Sequence, residues 1–352
     1  MNANPQPGAD AAAADGTAAA DDAATGATAG GAAAGGATAD GAAGVPPFLC
    51  EQLAAAYDEA VCEQVLAGYE AARSRPVTLR ANALKATADE VAASLDAAGI
   101  ACERMPWYAD AFVLSGVRER AVWELPLYQE GCVYLQSLSS MLPVLALAPR
   151  AGADILDMCA APGGKTSQIC ALTGGSAHVT ACEMNGPRAE KLAYNLRKLG
   201  AGNVNIMRVD ARRLDDFFRF DQVLVDAPCT GSGTVRAGDE RAAERVTSKL
   251  LAKVTRSQAQ LLDRALTVLK PGGTLVYSTC SVLPAENEEQ VERALARHRD
   301  CELEPVGATP AGAAGCTALP CRLDGALTVC PDGLYEGFFI ARIGKTGRDG
   351  RR

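Results

Sequence analysis

From residue 153 onward, short apolar runs alternate with longer runs whose apolar residues have helical spacing. This alternation constrains the fold more than any other feature, because strands separated by helices of this length pair as a parallel sheet with right-handed crossovers. We therefore predict an α/β domain. Its predicted strands are 154–158, 177–182, 204–209, 221–226, 274–279 and one near 335–343, and its predicted helices begin near 165 and cover 187–199, 256–269 and 285–298.

A smaller unit precedes this domain. Residues 76–116 have the pattern strand, helix, strand, strand, with a capping-box sequence at the start of the helix. Helical spacing over 48–72 predicts another helix before this unit. Residues 126–148 predict a strand followed by a helix that is capped near Ser137.

Composition separates the ends of the chain from its folded part. Residues 1–44 are almost entirely Ala, Gly, Asp and Thr, with five Asp and no Lys or Arg. Such a segment cannot bury enough apolar surface to offset its ordering entropy, so we predict a disordered tail there and a disordered basic tail at 346–352. Between them we predict a small domain at 45–125 and the α/β domain at 126–345. Without the five Asp, the formal net charge of −8 becomes −3, so any basic surface must be a local patch.

The thirteen cysteines lack the regular spacing of a disulfide framework, which predicts reduced thiols in a cytoplasmic protein. Cys316, Cys321 and Cys330 lie close in sequence, but with no CxxC pair or His they do not predict zinc, and we expect no metal. No apolar run reaches the roughly 18 residues that span a membrane, so we expect no membrane partner. For the oligomeric state we favour a monomer.

The loop after the first α/β strand, DMCAAPGGKT, is rich in small residues and leads into a helix near Lys165. Small residues let a ligand approach the backbone, and the helix start offers free N–H groups and a positive dipole end. A phosphate-binding loop requires G-x-x-x-x-G-K-[ST]; Gly164, Lys165 and Thr166 match, but Cys159 occupies the first glycine position. The dinucleotide pattern G-x-G-x-x-G is absent. The loop predicts a cofactor that needs no phosphate cradle.

Acidic residues end three further predicted strands, at Glu183, Asp210 and Asp226. A carboxylate at the first position can accept hydrogen bonds from both ribose hydroxyls, and one at the second can accept from an adenine amino group. Each could instead cap a following helix, an alternative that is weaker for three strand ends than for one. The pattern points to S-adenosylmethionine.

Two cysteines, Cys229 and Cys280, lie just past apolar runs in VLVDAPCTGSG and LVYSTCS. The carboxyl ends of parallel strands are where open α/β sheets bind ligands, so two thiols beside one cofactor loop suggest covalent catalysis. Methylation of pyrimidine carbon 5 requires such catalysis, because attack of a thiolate on carbon 6 makes carbon 5 nucleophilic. One attacking thiol, a base for elimination and an acid at ring nitrogen 3 would suffice.

The sequence resembles the NOL1/NOP2/Sun (RsmB/NSUN) family of RNA cytosine-5 methyltransferases. The resemblance rests on DMCAAPGGKTSQI, DAPCTGSG and YSTCSVLPAENE, supported by RANALK and the closing EGFFIARI, and it covers roughly residues 50–343. It implies a Rossmann-like class I methyltransferase fold with a mostly parallel seven-stranded sheet and a small, RRM-like amino-terminal α+β domain. It also implies S-adenosylmethionine-dependent methylation of a cytosine in ribosomal or transfer RNA through a cysteine–cytosine adduct.

The resemblance assigns roles to residues. Cys280 corresponds to the family's nucleophile, and Cys229 to the cysteine that helps to release the product. Asp226 is placed to hold the cytosine amino group or ring nitrogen 3, and Lys165 lies close to the target base. The implied cofactor contacts are Cys159, Ala160, Ala161, Pro162, Gly163, Gly164, Lys165, Glu183, Asp210 and Asp226.

RNA binding requires cations near the cleft. Arg80 and Asn82 match the family's amino-terminal RNA-contact motif, so we predict that they contact RNA. Arg212 and Arg213 are further candidates. The stretch from Arg236 to Arg256 interleaves with acidic residues and fits a solvated helix face as well as a phosphate track.

Several alternatives stay open. DNA cytosine methyltransferases attack with the thiol of a Pro-Cys motif, which would make Cys229 the nucleophile, whereas the resemblance favours Cys280. Where many members have Gln-Asp-x-x-Ser, this chain has Ser137 after Gln136, and Thr230 replaces a more usual Ser. An inert RNA-binding assembly factor would have no chemical need for the catalytic residues. A methyltransferase acting on small molecules or proteins would have no use for the paired cysteines.

Overall fold

A computed structural model of the protein describes residues 44–347, so nearly all of the two predicted tails, 1–44 and 346–352, lies outside the described residues. Within 44–347 no helix is both long and apolar enough to cross a bilayer. The same residues contain no cluster of three or more His, Cys, Asp and Glu suited to a metal ion. All thirteen cysteines fall in this part of the chain and are free thiols.

The amino-terminal part contains an antiparallel sheet of four strands in the order β2-β3-β1-β4. It confirms the predicted strand–helix–strand–strand order over 76–116. The fourth strand, β4, comes from beyond residue 125 and pairs with β1. The elements are α1 (Pro47–Ala56), α2 (Glu59–Ala71), β1 (Val77–Ala81), α3 (Ala88–Ala97), β2 (Cys102–Arg104), β3 (Ala111–Leu114), α4 (Glu119–Trp123), α5 (Pro126–Gln129) and β4 (Val133–Leu135).

The larger sheet confirms the predicted α/β class. Among the described residues, seven strands lie in the order β10-β12-β9-β8-β5-β6-β7, and the short β11 pairs beside them with β12. The five strands from β9 to β7 are parallel, and β10, β11 and β12 are antiparallel to their neighbours. The elements are α6 (Leu138–Leu147), β5 (Asp154–Asp157), α7 (Gly164–Leu172), β6 (His178–Cys182), α8 (Gly186–Lys198), β7 (Val204–Met207), β8 (Phe220–Asp226), α9 (Glu240–Arg245), α10 (Ser248–Val268), β9 (Leu269–Thr279), α11 (Glu288–Arg297), β10 (Cys301–Glu304), β11 (Leu327–Val329) and β12 (Phe338–Lys345).

Two apolar layers cover the parallel sheet. Because successive side chains of a strand point to opposite faces, Ile155 packs with α6, α7 and α8, whereas Leu156 packs with α10 and α11. The same division applies to Leu224 and its neighbour Val223 on β8. Both faces of the central strands are therefore buried, as expected for a doubly wound sheet.

Capping residues explain two differences from the predicted helices. The single helix expected at 48–72 is two helices, because the Asp58 side chain accepts a hydrogen bond from the Val61 N–H and begins α2. The helix expected at 256–269 begins earlier, at Ser248, where the Thr247 hydroxyl accepts from the Leu250 N–H. Ser137 caps α6 as predicted.

The helices α1 and α2 pack against the loops that follow the two candidate catalytic cysteines. The Tyr69 hydroxyl donates to the Ser232 carbonyl over 2.8 Å, and the Tyr57 hydroxyl donates to the Val282 carbonyl over 2.7 Å. Buried apolar side chains of both helices and both loops form one cluster, which includes Leu49, Leu53, Val65, Tyr69, Val235, Val282 and Leu283. The amino-terminal helices thus support the loops after both cysteines.

Candidate active site

The candidate site lies at the edge of the sheet where the five parallel strands end. The loop after β5 runs into α7 through Gly163, whose φ of +110° is in the left-handed region that favours glycine. Asp157, at the end of β5, binds both ends of this loop: its carboxylate accepts from the Thr166 hydroxyl at 2.7 Å and from the Cys159 N–H at 3.4 Å. Sequence reasoning missed Asp157, although it ends an apolar strand as the three predicted acids do.

Asp157→Asn is expected to make stability less dependent on pH. Burial, with a smaller contribution from the nearby Asp226 charge, raises the pKa of Asp157 from 3.8 to about 6. The folded protein therefore binds this proton more tightly than the unfolded chain, and the wild type loses stability as the pH rises from about 4 through 6. From pH 4.5 to pH 7.5 the free energy of unfolding of the variant, measured with urea, should rise by about 2 kcal/mol relative to that of the wild type. If the variant and the wild type differ in unfolding free energy by the same amount at both pH values, this assignment is wrong.

Glu183 is buried at the end of β6, and its carboxylate already has two partners. It accepts from the Asn185 N–H at 2.8 Å and lies 3.3 Å from the guanidinium of Arg188, which also donates to the Ala161 carbonyl. Arg188 therefore links Glu183 to the cofactor loop, a role not predicted from the sequence. The adjacent Met184 has 65% of its surface exposed, which leaves an apolar side chain beside these polar groups.

Asp210 caps the turn that follows it, which is one of the two roles that the sequence left open. Its carboxylate accepts from the Arg212 N–H and thus caps the short 3₁₀ turn of 211–213. The Arg212 guanidinium donates two hydrogen bonds to the same carboxylate, from Nε at 2.8 Å and from Nη2 at 2.7 Å. These hydrogen bonds lower the pKa of Asp210. Arg212 is thus engaged with Asp210.

Lys165 and Asp226 form an ion pair of 2.8 Å between Nζ and Oδ2. The Lys165 ammonium also donates to the Ser140 hydroxyl at 2.8 Å and lies 5.4 Å from the centre of the Phe338 ring. The other Asp226 oxygen accepts from the Ser278 hydroxyl at 2.9 Å, across the register of β8 and β9. Asp226 is therefore held in one orientation with its charge balanced by a partly buried lysine.

The two candidate thiols meet at this edge. The Sγ atoms of Cys229 and Cys280 are 2.9 Å apart, and both cysteines are free. The hydrogen bond with Cys280, together with burial, raises the pKa of Cys229 well above its ordinary value. Cys229 therefore keeps its proton at neutral pH and can donate it to the sulfur of Cys280. The predicted pair of thiols is an observed contact.

Comparison with known families agrees with this geometry. A family model described as 16S rRNA methyltransferase RsmB/F matches residues 144–344, which is more than half of the chain. The chain belongs to the RsmB/F family. A second model, described as a Methyltr_RsmF/B-like ferredoxin-like domain, matches residues 45–119. Both matches confirm the family resemblance inferred from the motifs.

Individual relatives of this RsmB/F member are only moderately similar to it. Ribosomal RNA small subunit methyltransferase F of Shewanella denitrificans is 33% identical over 286 residues, covering 78% of this chain and 55% of the relative. The 26S rRNA (cytosine-C(5))-methyltransferase nsun-1 of Caenorhabditis elegans is 38% identical over 239 residues, covering 66% of this chain and 36% of the relative. The chain thus spans about half of the first relative's length and about a third of the second's. A crystal structure of a methyltransferase homolog protein from Pyrococcus horikoshii superposes with a TM-score of 0.69 at 30% identity, covering 86% of this chain and 100% of that one.

The prediction that Arg80 and Asn82 contact RNA requires correction, because neither side chain has any exposed area. In this RsmB/F member Arg80 lies on the face of β1 that meets α7, where it donates to the Gln136 side chain at 3.0 Å and to the Ser167 hydroxyl at 2.9 Å. Asn82 donates to the carbonyls of Gly131 and Leu199 at 2.8 and 2.7 Å. Both residues join the amino-terminal sheet to helices of the larger α/β part, Arg80 to α7 and Asn82 to the end of α8.

Arg80→Ala is expected to destabilise the protein. The substitution leaves the buried polar groups of Gln136 and Ser167 without a donor, so we expect a loss of about 3 kcal/mol in chemical unfolding. The matched control is Arg73→Ala, which removes an exposed arginine paired with Glu70 and should cost less than about 1 kcal/mol. Equal stability of the Arg80→Ala protein and the wild type would contradict the structural role.

Proposed function

We propose that this chain transfers a methyl group from S-adenosylmethionine to carbon 5 of a cytosine in RNA. The observation that carries the proposal is the 2.9 Å contact between the free thiols of Cys229 and Cys280 at the strand edge that also holds Asp226 and Lys165. An inert RNA-binding factor would not need two thiols in contact beside an aspartate–lysine pair.

The chain's residues fit S-adenosylmethionine. The loop carries only small side chains at Ala160, Ala161, Gly163 and Gly164, and we propose that Glu183 binds the ribose hydroxyls and Asp210 the adenine amino group. Met184, which is 65% exposed, offers an apolar surface for a flat ring. Bound there, the sulfonium supplies an electrophilic methyl group. Because Arg188 and Arg212 already pair with Glu183 and Asp210, both arginines belong to the proposed cofactor site.

Cys280 is the proposed nucleophile. Its sulfur, as the thiolate, forms a bond to carbon 6 of the cytosine, and the electrons of the carbon 5–carbon 6 double bond move toward carbon 5 and the ring. Carbon 5 thereby becomes nucleophilic enough to take a methyl group. Asp226, oriented by Lys165 and Ser278, is proposed to hold the cytosine amino group and the proton at ring nitrogen 3.

Release requires a base. The proton on carbon 5 must leave, and its bonding electrons then restore the carbon 5–carbon 6 double bond and expel the Cys280 thiolate. Cys229 keeps its proton and lies in contact with the sulfur that is expelled, so its thiol can protonate the Cys280 thiolate as that sulfur leaves. The Cys229 thiolate formed in this way is the base that takes the proton from carbon 5. We propose that Cys229 promotes this elimination.

The substrate proposed from the family is small-subunit ribosomal RNA. The target cytosine must leave the base stack for a thiol to reach its carbon 6. The exposed Arg236, Lys249, Lys253 and Arg256 follow the Cys229 loop and are the proposed phosphate contacts. The cytoplasmic location, the monomeric state and the domain limits of 45–125 and 126–345 stay predictions.

Bisulfite sequencing of total RNA from cells with and without the gene tests the function. The expected result is one or more ribosomal cytosines that resist conversion only when the gene is present and that regain resistance on complementation. If the gene changes resistance in transfer RNA instead, transfer RNA is the substrate. No change at any cytosine would refute the proposed reaction.

A further inference from the structure

The carboxylate of Glu286 is buried without exposed area and accepts hydrogen bonds from four neutral donors. One oxygen accepts from the Thr230 N–H at 2.9 Å and from the Gln258 amide at 3.1 Å. The other accepts from the Thr230 hydroxyl at 2.5 Å and from the Ser281 hydroxyl at 2.6 Å. The proposed mechanism gives this side chain no part.

The positions of the donors in the sequence indicate what Glu286 does. Thr230 directly follows Cys229, and Ser281 directly follows Cys280. One carboxylate therefore binds the residue after each thiol. We propose that Glu286 is a positioning residue that sets the separation of the Cys229 and Cys280 sulfurs. Its catalytic consequence rests on the proposed function, whereas the separation itself does not.

Further hydrogen bonds hold the backbone of Glu286 and the neighbouring Asn287 in place. Its own carbonyl accepts from the buried Tyr277 hydroxyl at 2.6 Å. The next residue, Asn287, accepts from the Thr279 hydroxyl and donates to the Ser281 carbonyl at 2.9 Å. Because the residues on both sides of Cys280 are held in this way, movement of Glu286 would move the Cys280 loop relative to the Cys229 loop.

A carboxylate suits this position better than an amide. All four contacts present a donor to Glu286, and an ionised carboxylate accepts from every one, whereas an amide keeps only one acceptor oxygen. The Glu286 charge also adds to the rise in the pKa of Cys229. The same group therefore fixes the thiol pair and helps Cys229 to stay protonated.

Cross-linking of the two thiols tests the inference without RNA or cofactor. Dibromobimane, which joins two nearby thiols by displacing two bromides, is added to the purified full-length chain, and peptides joining Cys229 to Cys280 are quantified by mass spectrometry. The wild type should cross-link readily, and Glu286→Ala should slow this link by about 10-fold or more because the loops lose their common anchor. Glu286→Gln, which keeps the shape and one acceptor, should lie between them.

The matched control is Glu288→Ala, which removes a buried glutamate two residues away that contacts Cys321. It should cross-link at the wild-type rate. Equal rates in Glu286→Ala and the wild type, equal losses in Glu286→Ala and Glu288→Ala, or no rescue by Glu286→Gln would overturn the inference. If Glu286→Ala does not fold, the variants Thr230→Val and Ser281→Ala test the positioning role in its place. Each removes one hydroxyl donor and should slow the link about 3-fold, and wild-type rates in both would refute the role.

Since the cross-link forms in the free protein, a chain that fails to methylate any cytosine can still pass this test. Conversely, an active enzyme whose Glu286→Ala variant keeps the cross-link would retain the proposed function and lose only the positioning role.

Discussion

Replacing Cys280 by Ala is expected to abolish methyl transfer and the covalent RNA–protein adduct together. Without this sulfur nothing activates carbon 5, so the rate should fall by a factor on the order of 10⁴ to 10⁶, as for other covalent catalysts that lose their nucleophile. Transfer of a labelled methyl group to RNA measures the rate, and a band shift on a denaturing gel detects the adduct.

Replacing Cys229 by Ala should have a different result. The attacking sulfur remains, so the adduct should still form, but elimination should slow and the RNA-bound protein should accumulate on the same gel. An adduct in the Cys280→Ala protein and none in the Cys229→Ala protein would reverse the two roles. Cys132→Ala, a half-buried free cysteine in the amino-terminal part, is the control and should behave as the wild type.

Asp226→Asn is expected to have the next largest effect on activity. The change removes the partner of the partly buried Lys165 ammonium and the carboxylate proposed to hold the protonated ring nitrogen. A positioned acid or base of this kind contributes about 10² to 10⁴ to a rate, and we expect a loss of that size in kcat with RNA binding largely kept. Single-turnover methyl transfer and RNA affinity, measured separately, distinguish a slower reaction from weaker RNA binding.

Asp221→Asn is a closely matched control for this substitution. Asp221 lies at the other end of β8, has similar exposure and pairs with Lys270 at 3.0 Å. Losing that pair should change stability slightly and leave kcat unchanged. If both variants lose activity equally, the loss comes from damage to β8 and not from the site.

Features determined by short stretches of sequence could be predicted. The alternation of strands and helices predicts the parallel sheet, and residues that end parallel strands must meet at one edge. The position of Glu183, Asp226 and the two cysteines at that edge could therefore be predicted. Capping residues such as Ser137 act within one turn of helix and are visible in sequence for the same reason. The family resemblance predicts which of the two thiols attacks and which promotes release, a question that spacing alone leaves open.

Contacts between distant segments could not be predicted. Arg80 is predicted as an RNA contact because it matches a family motif, but alternate residues of a strand face opposite sides, and the side that Arg80 faces is covered by α7. In the sequence Glu286 is one of several acidic residues near the start of the predicted helix 285–298. Its role depends on Thr230, far away in the chain, and only the folded arrangement of β8 and β9 brings the two together.

The two tyrosine hydroxyls that donate to the cysteine loops limit how this chain can recombine with its relatives. The two matched family models suggest modules that could be exchanged at the segment between them. A chimera that takes α1 and α2 from another member would, however, place foreign side chains where Tyr57 and Tyr69 meet the Val282 and Ser232 carbonyls. Viable hybrids are therefore expected to inherit the helical pair and both loops from one parent.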